Sequence, residues 1–311
     1  MRGRFAPSPT GALHLGNART ALLAWLQVKR QGGALVLRME DLDRARTVPG
    51  AASAQLQALR ALGITWDEGP DVGGPFGPYT QSARLPRYQA AIEALRAAGR
   101  IYPCYCSRAE IARIAQAPHA GDDGPPYPGT CRGLTARERA RREALGKRPC
   151  LRFRVTPGIE RFDDELAGPV SQDVAAQVGD FVVQRADGVF AYQLAVVVDD
   201  AAMQITHVLR GDDLLGSTAR QLQLFRALGA APPRFAHVGL LHDAHGARMA
   251  KREASADVSA LLEQGVPPAR IRAVLDGLCG FDGRLERFDL TRVPRGPQRL
   301  TAAASATLRA P

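Results

Sequence analysis

Three cysteines with short spacings are the residues best suited to holding a metal ion. Cys104 and Cys106 are separated by one residue, and Cys131 follows a stretch rich in glycine, proline and aspartate. Three soft sulfur ligands suit a tetrahedral Zn²⁺ ion, which needs a fourth ligand from the intervening loop. By ligand chemistry alone, the candidates for that place are His119 and Asp123. The alternative is that the three cysteines are only buried.

The segment from Arg4 to Asn17 could bind phosphate at the beginning of a helix. Its sequence is Arg-Phe-Ala-Pro-Ser-Pro-Thr-Gly-Ala-Leu-His-Leu-Gly-Asn. The prolines stiffen a turn that brings His14 and Gly16 to the first helical turn, whose unpaired N–H groups and dipole attract phosphate. Gly16 lets a flat base or ribose lie against the backbone, and His14 can donate to a phosphate oxygen. A structural histidine is the alternative if this pair is considered alone.

A second charged segment, residues 248–252, lies late in the chain and reads Arg-Met-Ala-Lys-Arg. A flexible cationic loop suits a reaction in which charge builds up on a leaving pyrophosphate. Taken alone, five such residues are more often a solvated turn. Lys251 is nevertheless one of only three lysines in the chain.

These two segments resemble the signatures of the class I aminoacyl-tRNA synthetases and, within that class, of the glutamyl branch. His14-Leu15-Gly16-Asn17 stands where the class has His-Ile-Gly-His, and residues 248–252 resemble its mobile Lys-Met-Ser-Lys-Ser loop. The resemblance runs from Arg4 to about Leu278. It implies catalytic roles for His14 and Lys251, and Mg²⁺ bound with ATP. The ATP-binding residues that it implies are His14, Gly16, Asn17, Arg248, Met249 and Lys251.

The same resemblance implies a site for L-glutamate. A substrate with two carboxylates and one ammonium group needs about two cations and one anion. Arg4 and Arg210 can supply the cations, Glu40 the anion, and Tyr192 a hydroxyl group on an expected strand. The alternatives are an Arg210–Asp212 pair, a surface Glu40 and a core Tyr192. The implied glutamate-binding residues are Arg4, Phe5, Ala6, Pro7, Ser8, Glu40, Tyr192 and Arg210.

The cysteine region resembles the zinc site of the glutamyl-Q tRNA(Asp) synthetase family, in which a tyrosine is the fourth ligand. The matching sequences are Cys-Tyr-Cys-Ser-Arg and Tyr-Pro-Gly-Thr-Cys-Arg. The resemblance implies one structural zinc ion per chain, with His119 as the second choice after Tyr127. Its ligands would be Cys104, Cys106, Tyr127 and Cys131. The short chain after Lys251, where a glutamyl-tRNA synthetase continues into an anticodon-binding region, favours the same family.

That family would imply a reaction in two steps. Glutamate reacts with ATP without tRNA, giving glutamyl adenylate and pyrophosphate. A hydroxyl group of the queuosine ring at the wobble position of tRNA(Asp) then takes the glutamyl group. Three alternatives stay open: a glutamyl-tRNA synthetase that charges a tRNA 3′ end, a small-molecule nucleotidyltransferase, and a non-catalytic zinc-bearing RNA-binding module.

The pattern of elements predicts an α/β fold. A strand at 4–6, a helix at 13–30 and a strand at 34–39 indicate a β-α-β unit and a parallel sheet. The resemblance implies a Rossmann-like class I synthetase core with a zinc-bearing insertion and a short helical C-terminal part. Further helices are predicted at about 51–62, 84–98, 135–147 and 214–228, and strands at 181–185, 189–198 and 205–209. The end of the chain, 301–311, is expected to fray.

Five regions are expected along the chain. They are the first half of the catalytic domain (1–103), a zinc-bearing, acceptor-type insertion (104–178), the second half of the catalytic domain (179–240), the Lys251 loop with a helical, stem-contact-like region (241–280), and an irregular basic tail (281–311). Cys150 and Cys279 lie outside the cluster and are expected to be small buried side chains.

The composition favours a folded, basic chain. Among 311 residues, 41 lysines and arginines stand against 31 aspartates and glutamates, and 45% are hydrophobic. This hydrophobic fraction excludes global disorder, and the net charge of +10 favours a polyanionic partner. A general preference for arginine is the alternative explanation of the charge. Neither a signal peptide nor a run of roughly 18 apolar residues is evident, so we expect a cytoplasmic monomer without a membrane partner.

Overall fold

The structure is a computed structural model that describes residues 1–107, 109–111, 126–243 and 257–309. Its strands are β1 (Arg2–Phe5), β2 (Ala34–Leu37), β3 (Ile101–Cys104), β4 (Cys150–Phe153), β5 (Ile159–Asp164), β6 (Gly168–Asp173), β7 (Val182–Gln184), β8 (His207–Gly211), β9 (Arg234–Val238), β10 (Leu241–His242) and β11 (Gln298–Arg299). Its helices are α1 (Leu15–Arg30), α2 (Ala51–Ala61), α3 (Leu85–Ala97), α4 (Ala136–Ala144), α5 (Val174–Gln177), α6 (Tyr192–Ala202), α7 (Leu215–Ala227), α8 (Val258–Glu263), α9 (Pro268–Cys279) and α10 (Ala302–Arg309).

The main sheet has the strand order β2-β1-β8-β9-β5-β6. Its first five strands are parallel, and β6 returns antiparallel beside β5. The β1-α1-β2 unit and the parallel sheet predicted from the sequence are therefore confirmed. Because parallel strands end at a common edge, the residues after β1, β8 and β9 meet there, where α/β proteins place their ligands.

Two hydrophobic clusters cover this sheet. One joins α1 and α2 to the carboxy-terminal helices α8, α9 and α10, and the other joins α3, α6 and α7. Burial on both faces is what a parallel sheet requires. None of the described helices is both long and apolar enough to span a bilayer.

A second, antiparallel sheet contains Cys104 and Cys150. Its order is β3-β4-β7, and Cys104 at the end of β3 lies opposite Cys150 at the start of β4. The five predicted regions stay predictions. In the structure β5 and β6 belong to the main sheet, whereas β7 belongs to the sheet with the cysteines.

The predicted strand at 189–198 is wrong, because the chain forms α6 from Tyr192 onward. The turn at Asp187-Gly188 exists, but the returning chain makes only one bridge, between Gln184 and Phe190. Residues 194–197 are all buried since α6 is covered on several sides, and a continuous apolar run does not separate a buried helix from a buried strand. Tyr192 therefore begins a helix.

The tail after Gly280 is more ordered than predicted. Residues 302–309 form α10, which packs on α9 and buries Leu308, so the expected fraying is wrong for this part. Upstream, β11 pairs in parallel with β10. Gly239 and Gly296 approach so closely there that a Cβ on Gly239 would lie 1.7 Å from the Gly296 carbonyl oxygen.

Candidate active site

A cleft of about 310 Å³ opens at the carboxyl ends of β1 and β8. Ten of the residues predicted from the sequence line it: Arg4, Phe5, Ala6, Pro7, His14, Gly16, Asn17, Glu40, Tyr192 and Arg210. Ser8 is exposed and does not line the cleft. Arg248, Met249 and Lys251 lie outside the described residues, as do His119 and Asp123.

His14 is the N-cap of α1. Its Nδ1 accepts a hydrogen bond from the Asn17 backbone N–H at 3.2 Å. An accepting Nδ1 places the proton of the neutral imidazole on Nε2, which is then the donor side of the ring. The N–H groups of Leu15 and Gly16, which have no acceptor within the helix, begin the same turn, so this corner of the cleft suits a phosphate.

Gly16 follows in the first turn of α1. A Cβ at this position would lie 3.1 Å from His14 Nδ1 and 3.5 Å from the Leu241 Cβ. A side chain would therefore crowd the cap and fill the cleft. The glycine keeps the backbone accessible, as predicted for a nucleotide that lies against it.

Arg210 is the next-to-last residue of β8 and is 4% exposed. Its Nε donates to His237 Nε2 at 3.0 Å, and its Nη2 donates to Thr218 Oγ1 at 2.9 Å. Longer bonds reach the Tyr192 hydroxyl at 3.4 Å and the Leu214 carbonyl at 3.4 Å. Among the described residues, all its hydrogen-bond acceptors are thus neutral. A buried guanidinium without a carboxylate in direct contact is prepared for an anionic ligand.

Arg4 and Glu40 belong to a neighbouring buried network. Glu40 Oε1 accepts from Arg38 Nη2 at 3.0 Å, and Asp200 Oδ1 accepts from Arg38 Nη1 at 2.7 Å. Asp200 Oδ1 also lies 3.5 Å from Arg4 Nε. Burial raises the pKa of Glu40, although Arg38 and Arg4 oppose this effect. The alternative pairing of Arg210 with Asp212 is not among the described bonds of Arg210, and Glu40 faces the cleft rather than the outer surface.

Sequence reasoning missed Asp164 and His237. His237 is on β9 directly beside Arg210, and its Nδ1 lies 2.6 Å from Asp164 Oδ2 at the end of β5. Both side chains are fully buried. Burial lowers the pKa of His237, and the hydrogen bond with Asp164 only partly offsets it. The imidazole is therefore neutral, with its proton toward Asp164 and its Nε2 toward Arg210.

The three clustered cysteines come together beside the second sheet, with Cys104 at the end of β3 and Cys106 and Cys131 outside its strands. The sulfur atoms of Cys104, Cys106 and Cys131 all lie within 4.8 Å of one another. The Tyr127 hydroxyl donates to Cys104 Sγ at 3.3 Å, lies 4.0 Å from Cys106 Sγ and accepts from the Cys131 backbone N–H at 2.8 Å. Three sulfur atoms and one phenol oxygen around a common point are a donor set that fits Zn²⁺.

Arg152 supplies positive charge to this cluster. Its Nε donates to Cys104 Sγ at 3.3 Å, and its guanidinium stacks 3.8 Å above the Tyr127 ring. The pKa of Cys104 is lowered to about 4, first by a hydrogen bond from Cys150 and then by those from Tyr127 and Arg152, against the effect of burial. Cys150 is half-buried rather than buried as predicted, whereas Cys279 is buried.

Comparison with known proteins gives the family. Residues 1–286 match the family described as class I tRNA synthetases (E and Q), catalytic domain. A glutamyl-Q tRNA(Asp) synthetase from Symbiobacterium thermophilum is 53% identical over 98% of this chain and 98% of its own. The chain belongs to the glutamyl-Q tRNA(Asp) synthetases. A second such protein, from Nitratidesulfovibrio vulgaris, is 53% identical over 96% of this chain and 90% of its own.

The fold of this glutamyl-Q tRNA(Asp) synthetase is shared with longer enzymes. A glutamate tRNA ligase from Elizabethkingia meningosepticum, solved in complex with its amino acid, superposes with a TM-score of 0.85 at 29% identity. The match covers 99% of this chain and 68% of that chain. The Rossmann-like class I synthetase core predicted from the sequence is thereby confirmed.

Proposed function

We propose that this glutamyl-Q tRNA(Asp) synthetase activates L-glutamate with ATP in the cleft and then transfers it to the queuosine ring of tRNA(Asp). The observation that carries the proposal is Arg210, a buried cation whose described acceptors are all neutral and which faces the same cleft as His14. The choice of queuosine-containing tRNA(Asp) rests on the names of the relatives that match at 53% identity over nearly the whole chain.

Glutamate fits the charges of the cleft. Arg4 and Arg210 can each hold a carboxylate, while Glu40 offers an oxygen to the ammonium group. The negative charges of Glu40 and Asp200 balance the positive charges of Arg4 and Arg38. The positive charge of Arg210 has no such balance, so an anionic substrate is needed to neutralise it. The Tyr192 hydroxyl, 3.4 Å from Arg210 Nη1, can shape the same pocket.

The chemistry of activation needs orientation and charge stabilisation rather than a nucleophile from the protein. The α-carboxylate of glutamate attacks the α-phosphorus of ATP, and pyrophosphate leaves. The Nε2–H of His14 and the first N–H groups of α1 can stabilise charge on the phosphates. Lys251 is proposed to assist the leaving pyrophosphate and Mg²⁺ to accompany ATP. The ring hydroxyl of queuosine then attacks the activated carbonyl, releasing AMP.

The cysteine cluster has a structural role in this proposal. Cys104, Cys106, Tyr127 and Cys131 would hold one Zn²⁺ ion, which would cross-link β3 to the loop before α4. The cytoplasm is the compartment that supplies ATP and tRNA(Asp), and we place the enzyme there. A monomer stays the expected state, which light scattering would measure.

Two assays test the proposal. Purified protein should catalyse glutamate-dependent exchange of pyrophosphate into ATP without tRNA, and Arg210→Ala or Lys251→Ala should abolish it. Labelled glutamate should then enter tRNA(Asp) that carries queuosine and not matched tRNA(Asp) that lacks it. An anticodon stem-loop with queuosine but without a 3′ acceptor end should also be labelled. Charging of tRNA(Glu) at its 3′ end would identify an ordinary glutamyl-tRNA synthetase instead.

A further inference from the structure

Arg210 has one bond that fixes the direction of its guanidinium plane. Its Nε–H points at His237 Nε2 across the parallel pair β8–β9, where the two residues are directly opposite. Thr218 Oγ1 lies 3.3 Å from the same nitrogen and also accepts from Arg210. Because this bond fixes Nε, the two terminal nitrogen atoms of the Arg210 guanidinium, Nη1 and Nη2, can face the cleft.

His237 is itself held in one orientation and one tautomer. Asp164 Oδ2 lies 2.6 Å from Nδ1, and the ring stacks on Phe235 with an interplanar angle of 15°. A carboxylate without its proton can only accept, so the imidazole proton stays on Nδ1 and Nε2 stays an acceptor. Arg210, which also lies over the Phe235 ring at 5.2 Å, thus meets an acceptor rather than a second donor.

We propose that Asp164 and His237 are positioning residues that hold Arg210 in the orientation that binds a carboxylate of glutamate. The inference rests on the proposed function, because it concerns the affinity of the same cleft for glutamate. It goes beyond that function by assigning a role to two buried residues that do not line the cleft.

Replacing Asp164 by asparagine should move the imidazole proton of His237 from Nδ1 to Nε2. Asp164 Oδ1 accepts from three backbone N–H groups, those of Leu166, Ala167 and His237, at 3.0, 2.8 and 3.1 Å. In Asp164→Asn the amide oxygen must take that position, because an NH₂ group cannot accept. The NH₂ group then faces His237 Nδ1, which must become the acceptor. The ring proton moves to Nε2, where it opposes the Nε–H of Arg210.

The first test compares two neutral replacements of His237. Gln can place its amide oxygen near the position of Nε2 and accept from Arg210, whereas Asn is too short to do so. We expect the KM for glutamate in pyrophosphate exchange to rise roughly 10- to 100-fold in His237→Asn, the range for a lost hydrogen bond to a charged group. His237→Gln should restore most of that affinity. The KM for ATP should change little in either variant.

The second test uses Asp164→Asn, which changes a single oxygen and should raise the KM for glutamate over a similar range. Its matched control is Asp163→Asn, since Asp163 is the exposed neighbour on the same strand. His207→Asn, at the opposite end of β8, is the control for the histidine change. Thermal unfolding of every variant shows whether the fold is kept.

The outcomes separate this inference from the proposed function. Equal KM values for glutamate in His237→Asn and His237→Gln, or an unchanged KM in Asp164→Asn, would overturn the positioning role while the wild type stays active. Parallel increases in the KM for ATP would also overturn it, because they indicate a general loss of structure. If His237→Asn does not fold, the KM for glutamate of Asp164→Asn alone decides whether the positioning role stands. A wild type without glutamate-dependent exchange would overturn the proposed function instead.

Discussion

The cleft and the cysteine cluster use a buried arginine in opposite ways, Arg210 in the cleft and Arg152 in the cluster. Arg210 bonds to neutral acceptors, and its nearest carboxylate along that chain of bonds, Asp164, lies beyond an imidazole ring. Arg152 donates directly to the Cys104 sulfur and covers the Tyr127 ring. The charge of Arg210 is available to an anionic ligand, whereas the charge of Arg152 is already paired with a sulfur atom of the protein.

The proposed ligands would explain this difference, because they would stay for different times. Three thiolates around a bound Zn²⁺ ion would carry a net negative charge, and a permanent buried charge must be paired locally. Glutamate leaves after each turnover, so a carboxylate of the protein in the same place would compete with it. The unbalanced cation in the cleft is the cost of binding an anion reversibly.

The largest effect is expected from removing the unbalanced cation. Arg210→Ala should lower kcat/KM for glutamate activation by at least about 30-fold, because removing one partner of a desolvated charge pair costs roughly 2–5 kcal/mol. Arg210→Lys should restore little of the lost kcat/KM, since lysine lacks the planar guanidinium that can donate two parallel hydrogen bonds to a carboxylate. Pyrophosphate exchange measures both. Arg226→Ala, an exposed arginine paired with Glu160 on the surface, is the control. Normal exchange in Arg210→Ala would show that the two arginines do not differ in this way.

Removal of a cysteine ligand should affect the other region first. If the wild type binds one zinc ion as proposed, Cys131→Ser should abolish the zinc found by metal analysis and reduce the protection of the amides of 126–135 from hydrogen exchange. We expect glutamate activation without tRNA to persist, because the cleft lies at the edge of the main sheet, whereas Cys104 ends a strand of the other sheet. A full zinc equivalent in Cys131→Ser would contradict the ligand set. Loss of activation together with zinc would instead show that the regions are coupled.

Replacing Arg152 should weaken zinc binding less than replacing one of the proposed metal-ligating residues. Arg152→Gln is expected to weaken zinc binding roughly 10- to 100-fold, as is typical of residues that bond to metal ligands, and Arg152→Lys should lie between Gln and wild type. Competition with a chromogenic chelator measures the affinity. Arg154→Gln on the same segment, which stacks on Tyr102 instead, is the matched control. Equal zinc affinity in Arg152→Gln and Arg154→Gln would refute the balancing role.

The smallest effect is expected at α4, whose Glu143 accepts a hydrogen bond from Tyr105, the residue between Cys104 and Cys106. Thr135 and Glu138 form a capping box at the start of α4. Thr135→Ala should destabilise that helix by about 1 kcal/mol, seen as faster amide exchange in 136–144. Zinc content and pyrophosphate exchange should stay unchanged. A loss of zinc in this variant would mean that the helix, and not only Arg152, supports the cluster.

The sequence predicts the parts of the site that lie in contiguous motifs. His14, Gly16 and Asn17 share one turn, and all three line the cleft. His237 gives no comparable signal, because a single histidine in the apolar strand Arg-Phe-Ala-His-Val is typical of a core position. Its partner Asp164 is 73 residues away, and only the parallel register of β5, β9 and β8 brings the three side chains together.

The helix α6 shows a second limit of sequence patterns. Its apolar run has neither the period of an exposed helix nor that of a half-exposed strand, because it is buried on several sides. The two aspartates that end the run, Asp199 and Asp200, are also buried, and they pair with arginines from other elements. Such compensation is visible only once the partners are placed, which is why an apolar pattern alone predicted a strand there.

The pairing of β11 with β10 connects the carboxy-terminal tail to the strand that follows β9. The strand that receives the tail, Leu241–His242, is also the strand from which the chain enters residues 244–256 and the Lys251 segment. Gly239 has no room for even a methyl group against Gly296, so the two segments are locked at a fixed spacing. The tail is thus tied to the wall of the cleft, which Leu240 and Leu241 line, by two backbone hydrogen bonds, from the Gln298 N–H to the Leu240 carbonyl and from the Leu300 N–H to the His242 carbonyl.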